Sequence, residues 1–401
     1  MAFLDRDDVG RLTVAHIRAF QARRISEGRI NPDLAYECVL AKAGEGTPTG
    51  LALDDATFGI DSLSLLDLVM GVTRYFNLAD SGVEDYLFIQ RRVTDWIDLI
   101  YRHFEQVGGE ARLTFQTSGS SGVAKNVTKT ALELKEEVTV LADEIHQCHP
   151  NAGRVISAVS PQHIYGTIWS VLLPRHLGLP VVDRYKTSPL QIARTSQTGD
   201  IILATPYLWE KFAEFGARFA PGCLGVTSGG PATIATYAAA QTVGVSALVE
   251  VFGSTETGGV GLRMAEQEDF RLLDHLQRSA DLIVRGQDAV PLDLQDHLSW
   301  TGARRFKVTG RRDTVVQVAG TTVNLSEVEA AISATPGVDQ VCVRPDGTRL
   351  KAFVVRAKTS VHLTERDIRS AFEHLPAVAR PEKISFGPCL PVTDTGKAAD
   401  W

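Results

Sequence analysis

The sequence lacks most of the features that assign a chain quickly. Its five cysteines, Cys38, Cys148, Cys223, Cys342 and Cys389, are odd in number, far apart and free of C-x-x-C or zinc-ligand spacing. A disulfide framework is thereby excluded, and reduced thiols in a cytoplasmic protein are expected. The N-terminus, Met1 to Asp8, has neither the basic start nor the long apolar run of a signal peptide. No stretch reaches the ~18 apolar residues that suggest a membrane span, so no membrane partner is expected. There is no basic excess either. A net charge of -7 argues against a nucleic-acid partner, which wants a basic patch. It leaves room for a small anion held by a few local donors. Internal repeats, low-complexity tracts and a G-x-x-x-x-G-K-[ST] phosphate loop are all missing.

What is present is ordinary in bulk and specific in detail. The 401 residues are 44% hydrophobic and 22% charged, which fits a globular chain of two or three domains. The densest feature is Thr117-Ser118-Gly119-Ser120-Ser121-Gly122-Val123-Ala124-Lys125. It follows the strand-like run Ala111 to Phe115 and precedes a polar strand-like stretch, Asn126 to Lys129. Glycines let backbone N–H groups face an anion, hydroxyls add donors, and the lysine adds charge. A solvated Gly/Ser turn would have the same composition.

Residues 1–107 read as mostly helical. Val9, Leu12, Val14, Ile17 and Phe20 make one face of a helix over Asp7 to Arg24. Leu65, Val69, Val72 and Phe76 mark a second, and Trp96, Ile97, Ile100 and Phe104 a third over Val93 to Phe104. The second opens on Gly59-Ile60-Asp61-Ser62-Leu63, which resembles the phosphopantetheine attachment motif of acyl carrier proteins. Asp61 or Ser62 could equally be a plain N-cap.

Residues 108–312 read as α/β. Strands are expected at Val155, Leu179, Asp200, Gly225 and Ala247, several ending in polar or glycine turns, and ligands bind outside the carboxyl ends of such strands. Residues 313–401 read as a small α+β domain. There Ser326-x-x-Glu329 predicts a capping box and Pro345-Asp346-Gly347 a turn between two strands.

Four further stretches follow the Gly/Ser loop in order, and with them the sequence resembles the acyl-adenylate-forming superfamily of acyl-CoA synthetases, peptide-synthetase adenylation domains and luciferases. These are Ser160-Pro161-Gln162-His163-Ile164-Tyr165-Gly166, Phe252-Gly253-Ser254-Thr255-Glu256, Gly310-Arg311-Arg312-Asp313 with Glu327-Val328-Glu329, and Leu390-Pro391 through Gly396-Lys397. The resemblance runs from about residue 110 to the C-terminus. Departures are clear. Ala124 stands where the family usually has proline, only residues 257–309 separate Glu256 from Gly310, and the Tyr-x-x-Gly-Asp stretch is absent. This compaction also resembles the small AMP-ligases of aryl polyene-like pathways.

The resemblance implies a large α/β adenylation domain, a mobile α+β lid and a helical, carrier-like leader. It implies ATP and Mg²⁺ as cofactors, and phosphopantetheine if Ser62 is modified. It implies a carboxylic acid substrate, of aryl type by the narrower likeness, and an acyl carrier protein or CoA as acceptor. By the same route, Thr117, Ser118, Gly119, Ser120, Ser121 and Gly122 would hold the β- and γ-phosphates, with Lys125 positioning the loop. Ser228, Gly229, Gly230 and Phe252 would line the adenine slot beside Gly253 and Ser254. Thr255 would touch the α-phosphate, Glu256 would hold Mg²⁺, and Asp296 and Arg311 would bind the ribose. His163 and Gly258 would border the acid pocket, Asp313 would be the hinge, and Lys397 would bridge the carboxylate and the α-phosphate. Two rivals stay open at this point: a binding module on a non-catalytic adenylate fold, and a ligase that loads its own Ser62.

Overall fold

The computed structural model describes residues 3–43, 50–117, 125–286, 289–311, 315–318, 321–347, 349–357, 363–391 and 400–401. The chain divides into two compact units, residues 1–292 and 293–401. The first unit begins with helices whose ends are written in the sequence. Asp5 caps helix Arg6–Ser26 through a reciprocal box with Asp8, and Asp61 caps helix Ser62–Phe76 by accepting from the Ser64 N–H. Helix Val93–Val107 buries Trp96, Ile97, Ile100 and Phe104, the face expected from spacing. Each such side chain contributes roughly 1.5–3 kcal/mol on burial.

A two-stranded hairpin comes next, β1 (Arg112–Thr117) and β2 (Lys125–Thr130), with Thr117 opposite Lys125. Thr130 then caps helix Ala131–Cys148 in a box with Glu133. The main sheet contains β3 (Arg154–Ser157), β4 (Val181–Asp183), β5 (Asp200–Ala204), β6 (Leu224–Thr227) and β7 (Ala247–Ser254). It continues with β8 (Gly258–Arg263) and β9 (Phe270–Leu272). In space the order is β4-β3-β5-β6-β7-β8-β9. Neighbours from β4 through β7 are parallel, and β7–β8 and β8–β9 are antiparallel. Helices Pro206–Glu214 and Ile234–Val243 connect β5 to β6 and β6 to β7. A small sheet of β10 (Leu276–Ser279), β11 (Leu282–Arg285) and β12 (Val290–Pro291) closes the unit.

The leader helices share one hydrophobic core with the hairpin and the sheet. Phe3, Leu12, Phe76 and Phe104 belong to the same buried cluster as Phe115, Leu203, Val226 and Leu273. Tyr75 meets the Phe115 ring edge-on at 5.5 Å. A second cluster, around Trp209, Phe212 and Phe219, fills the opposite face.

In the second unit β13 (Asp296–Trp300) pairs with β14 (Arg305–Arg311), and β15 (Val315–Val318) with β16 (Thr321–Asn324). A three-stranded sheet of β17 (Val338–Asp346), β18 (Arg349–Arg356) and β19 (Lys383–Gly387) packs Leu350 and Val354 against Val328, Ile332, Ile368 and Phe372. The expected capping box at Ser326 is corrected here. Asn324 caps helix Leu325–Ser333 by accepting from the Ser326 N–H, while Glu329 accepts from the Val343 N–H. The helix starts two residues earlier than the box would put it, which frees Glu329 to fasten the helix to β17. The tail, which has no core pattern in sequence, ends packed as well. Lys351 donates to Asp400 at 2.6 Å and to the Trp401 carbonyl at 2.9 Å, and the Trp401 ring lies against it.

Candidate adenylate-forming site

The parallel strands β3, β5, β6 and β7 present their carboxyl ends along one edge, where open α/β sheets hold ligands. Four of the expected stretches leave from the first unit at or near that edge or from the hairpin. Ser160 to Gly166 follows β3, Ser228 to Gly230 follows β6, Phe252 to Glu256 ends β7, and the Gly/Ser loop joins β1 to β2. Ser118 to Gly122 lie outside the described residues, as do Asp313 and Lys397. Thr117 ends β1, and Lys125 begins β2 with an exposed side chain.

After β6, Ser228 is buried and donates to the Val251 carbonyl at 2.9 Å, pinning the loop to β7. Gly229 and Gly230 are exposed, with open space where a side chain would stand. This leaves flat backbone for a planar ring to approach. Glu250 anchors the far side of the same loop. It is buried and accepts from the Ala232 N–H, the Tyr237 hydroxyl and Arg263. The Arg263 guanidinium also lies 4.5 Å from the Phe270 ring centre, and Phe270 packs on Phe252 at 5.4 Å. The Glu250–Arg263 ion pair is thus linked to Phe252 through the Phe270 ring.

The end of β7 turns tightly. Strand pairing with β8 shifts between Phe252 and Gly253, and a Cβ on Gly253 would stand 2.2 Å from the Gly258 carbonyl oxygen. Only glycine fits there. Ser254 and Thr257 lock the turn through Thr257 Oγ1, which accepts from the Ser254 N–H at 3.0 Å. Thr255 and Glu256 stand half-exposed at its tip. The Glu256 carboxylate takes no hydrogen bond from any described residue.

Behind the turn lies a set of buried charges that sequence reasoning missed. Lys129 donates to the Glu256 carbonyl at 2.6 Å, and Arg285 donates to the Thr257 carbonyl at 2.8 Å. Glu137 accepts from the Gly259 N–H at 2.8 Å. Burial, offset in part by the Gly259 N–H and Arg285, pushes Glu137 up to about 7. Burial likewise lowers Lys129. Gly258, at φ +74°, faces the Glu137 carboxyl so closely that a Cβ would meet it at 2.4 Å.

His163 is exposed and sits as the N-cap residue of a helical run that starts at Ile164. A Cβ on Gly166 would lie 1.9 Å from the Ser160 carbonyl oxygen, so the turn and the helix meet backbone to backbone. The run then passes through one π turn, Ile168–Leu172, a local irregularity common at functional sites. His16 from the leader packs against Tyr75, its ring tilted at 58° and centred 4.2 Å away. Burial and then the neighbouring His163 lower it to about 3, so it stays neutral. The hydroxyls of Ser160 and Thr227 are buried without a partner among the described residues.

In the second unit Asp296 opens β13 and stands opposite Arg311, the last residue of β14. In the leader, Ser62 is exposed as the first residue of its helix, with Asp61 as the cap. Among the described residues no cluster of three or more metal-ligating side chains occurs. No described helix is long and apolar enough to cross a membrane.

Residues 327–397 match the family of the AMP-binding enzyme C-terminal domain. The chain is 39% identical over 401 residues to a 4-coumarate–CoA ligase of Cereibacter sphaeroides, covering 99% of this chain and 97% of the relative. It is 39% identical to another from Rhodobacter capsulatus, covering 98% and 100%. Among solved structures, ATP-bound MatB from Rhodopseudomonas palustris superposes with a TM-score of 0.58 at 14% identity, over 96% of this chain and 91% of that one. An anthranilate CoA ligase in complex with anthranoyl-AMP superposes with a TM-score of 0.54 at 17% identity, over 77% and 69%. The solved structures share the fold, and the full-length relatives share the sequence along with it. On both counts the chain belongs to the acyl-adenylate-forming superfamily and is an ATP-dependent, AMP-forming acid–thiol ligase.

Proposed function

We propose that the acid is of the cinnamate type, with 4-coumarate the foremost candidate, and that the accepting thiol is that of CoA. The end-to-end similarity to 4-coumarate–CoA ligases carries this reading. A carboxylate is a poor acyl donor because its leaving group would be oxide. Its oxygen instead attacks the α-phosphorus of ATP, the bond to the bridging oxygen breaks, and pyrophosphate leaves. The thiol sulfur, having lost its proton, then attacks the acyl carbon and AMP leaves. The first transition state gathers negative charge at phosphorus, so fixed donors and cations supply the catalysis.

In this reading the hairpin loop from Thr117 to Gly122 holds the β- and γ-phosphates, with Lys125 at its exit. Thr255 touches the α-phosphate, and Ser228, Gly229, Gly230 and Phe252 shape the adenine slot. The Glu256 carboxylate, which takes no hydrogen bond from the described residues, suits Mg²⁺, which binds one or two carboxylates plus substrate phosphates and, when bound, neutralises charge on the triphosphate. Asp296 and Arg311 take the ribose, His163 and Gly258 border the acid, and Asp313 is the hinge between the two catalytic poses. Lys397 brings positive charge between two anions that would otherwise repel. The domain pattern is a helical leader over 1–107, an adenylation core over 108–312 and a lid over 313–401.

The test is acid-dependent exchange of labelled pyrophosphate into ATP across a panel of cinnamates, hydroxybenzoates and alkyl acids, followed by chromatography with CoA or a pantetheine-loaded carrier protein. Preferred exchange with 4-coumarate and a CoA thioester as product supports the proposal. Preference for another acid class, or transfer only to the carrier, overturns it. Intact mass after coexpression with a phosphopantetheinyl transferase tests self-loading, since a gain at Ser62 would move the acceptor onto the chain itself.

A further inference from the structure

The turn that presents Thr255 and Glu256 is gripped from behind by three buried ionisable side chains from three different elements. Lys129 is 5% exposed and comes from β2, Arg285 is 8% exposed and comes from β11, and Glu137 is 3% exposed and comes from helix Ala131–Cys148. They bind the carbonyl of Glu256, the carbonyl of Thr257 and the N–H of Gly259 in succession. Glu133 ties the two cations together, 2.8 Å from Arg285 Nη1 and 3.9 Å from Lys129 Nζ. Its other oxygen caps its own helix at Thr130. Burying two cations and a carboxyl group is costly, and an apolar core of the same volume would often be as stable. What such a cluster does better than an apolar one is to fix polar backbone atoms in place. Here the atoms it fixes belong to the turn at the end of β7.

We propose that Lys129 and Arg285, joined through Glu133, are positioning residues for adenylation: they hold the Glu256 turn at the height where its carboxylate meets the metal–triphosphate. The proposal rests on the assignment of Glu256 to the nucleotide site. Lys129 has a second consequence through its place in the chain. It lies four residues beyond Lys125 on the strand that leaves the Gly/Ser loop, and Thr117 pairs with Lys125 across the hairpin. The strand that leaves the Gly/Ser loop and the turn that carries Glu256 are therefore joined by this side chain.

Lys129→Met, which keeps the stem and removes the donor, provides the test in the full-length enzyme. Pyrophosphate exchange is followed as Mg²⁺ and acid are varied separately, and ATP binding without acid is followed by calorimetry over the same Mg²⁺ range. Loss of an outer-shell partner typically weakens metal affinity or activity by about 10–100-fold. The expected result is an apparent Mg²⁺ requirement raised on that scale, with KM for the acid nearly unchanged and partial recovery in Lys129→Arg. A folded Lys129→Met enzyme with wild-type Mg²⁺ dependence overturns the proposal. Should Lys129→Met fail to fold, Arg285→Lys carries the same measurement with the same two outcomes. Glu256→Gln separates the underlying assignment from the clamp. If it leaves the Mg²⁺ dependence unmoved, the nucleotide-site reading has failed; if it shifts the dependence while Lys129→Met does not, only the clamp has failed.

Discussion

Asp296 and Arg311 stand opposite one another on the antiparallel strands β13 and β14. The two positions are 15 residues apart in sequence, and the hairpin brings an acid and a base to one rung of the ladder. An acid beside the ribose hydroxyls would accept from both. Hydrogen bonds to charged groups are worth roughly 1.5–3 kcal/mol, about 10–100-fold in binding. Asp296→Ala should raise KM for ATP on that scale while leaving KM for the acid within about twofold, since each 1.4 kcal/mol is tenfold. Steady-state kinetics with each substrate varied in turn reads it; an unchanged ATP KM removes Asp296 from the nucleotide site.

Lys397→Ala should separate the two half-reactions. A cation spanning the carboxylate and the α-phosphate acts only while phosphorus is being attacked, so adenylation should fall by about 10²–10³. Thioester formation from a supplied acyl-adenylate should persist. Equal loss of both steps contradicts the assigned role.

The buried Glu137 gives stability a pH dependence of known sign. Burial raises its folded value to about 7, with Arg285, Lys129 and the like-charged Glu133 facing it. The folded protein therefore holds this proton more tightly than the unfolded chain does. The group's contribution is full below about 4.5 and is lost as pH rises through about 7. Glu137→Gln stays neutral throughout. Its Tm relative to the wild-type protein should climb between pH 5 and 8, and a difference that stays flat across that window speaks against the shifted carboxyl.

Gly166→Ala should be among the most damaging small changes in the chain. The added methyl would stand 1.9 Å from the Ser160 carbonyl oxygen, a backbone atom that cannot rotate away. Overpacking of this kind costs about 1–3 kcal/mol, occasionally more. Chemical denaturation should show that loss, together with a larger KM for the acid because His163 rides on the same turn. Wild-type stability would mean that the turn and the helix can slide apart.

Much of the fold was legible because the signals were local. Strand runs at Val155, Asp200, Gly225 and Ala247 became β3, β5, β6 and β7, since short apolar stretches between glycine turns have few other places to go. Spacing identified the inward faces of the leader helices for the same reason. The family resemblance also anticipated the superfamily. The charges behind the Glu256 turn were invisible for a physical reason. Lys129 is the last residue but one of a polar strand, Glu133 and Glu137 stand four residues apart on the helix that follows, and their partner Arg285 lies more than a hundred residues away. Ser326 misled because two polar residues, separated only by Leu325, could each cap the helix, and Asn324 takes the Ser326 N–H itself.

The leader was read from sequence as a segment apart, yet its aromatic side chains lie in the same interior as the sheet. Shortening the gene to begin near residue 108, the obvious recipe for a minimal catalyst, would strip the covering from Phe115, Leu113 and their neighbours. The product would be a sticky fragment that precipitates on expression, and any search for a smaller working enzyme must trim somewhere else.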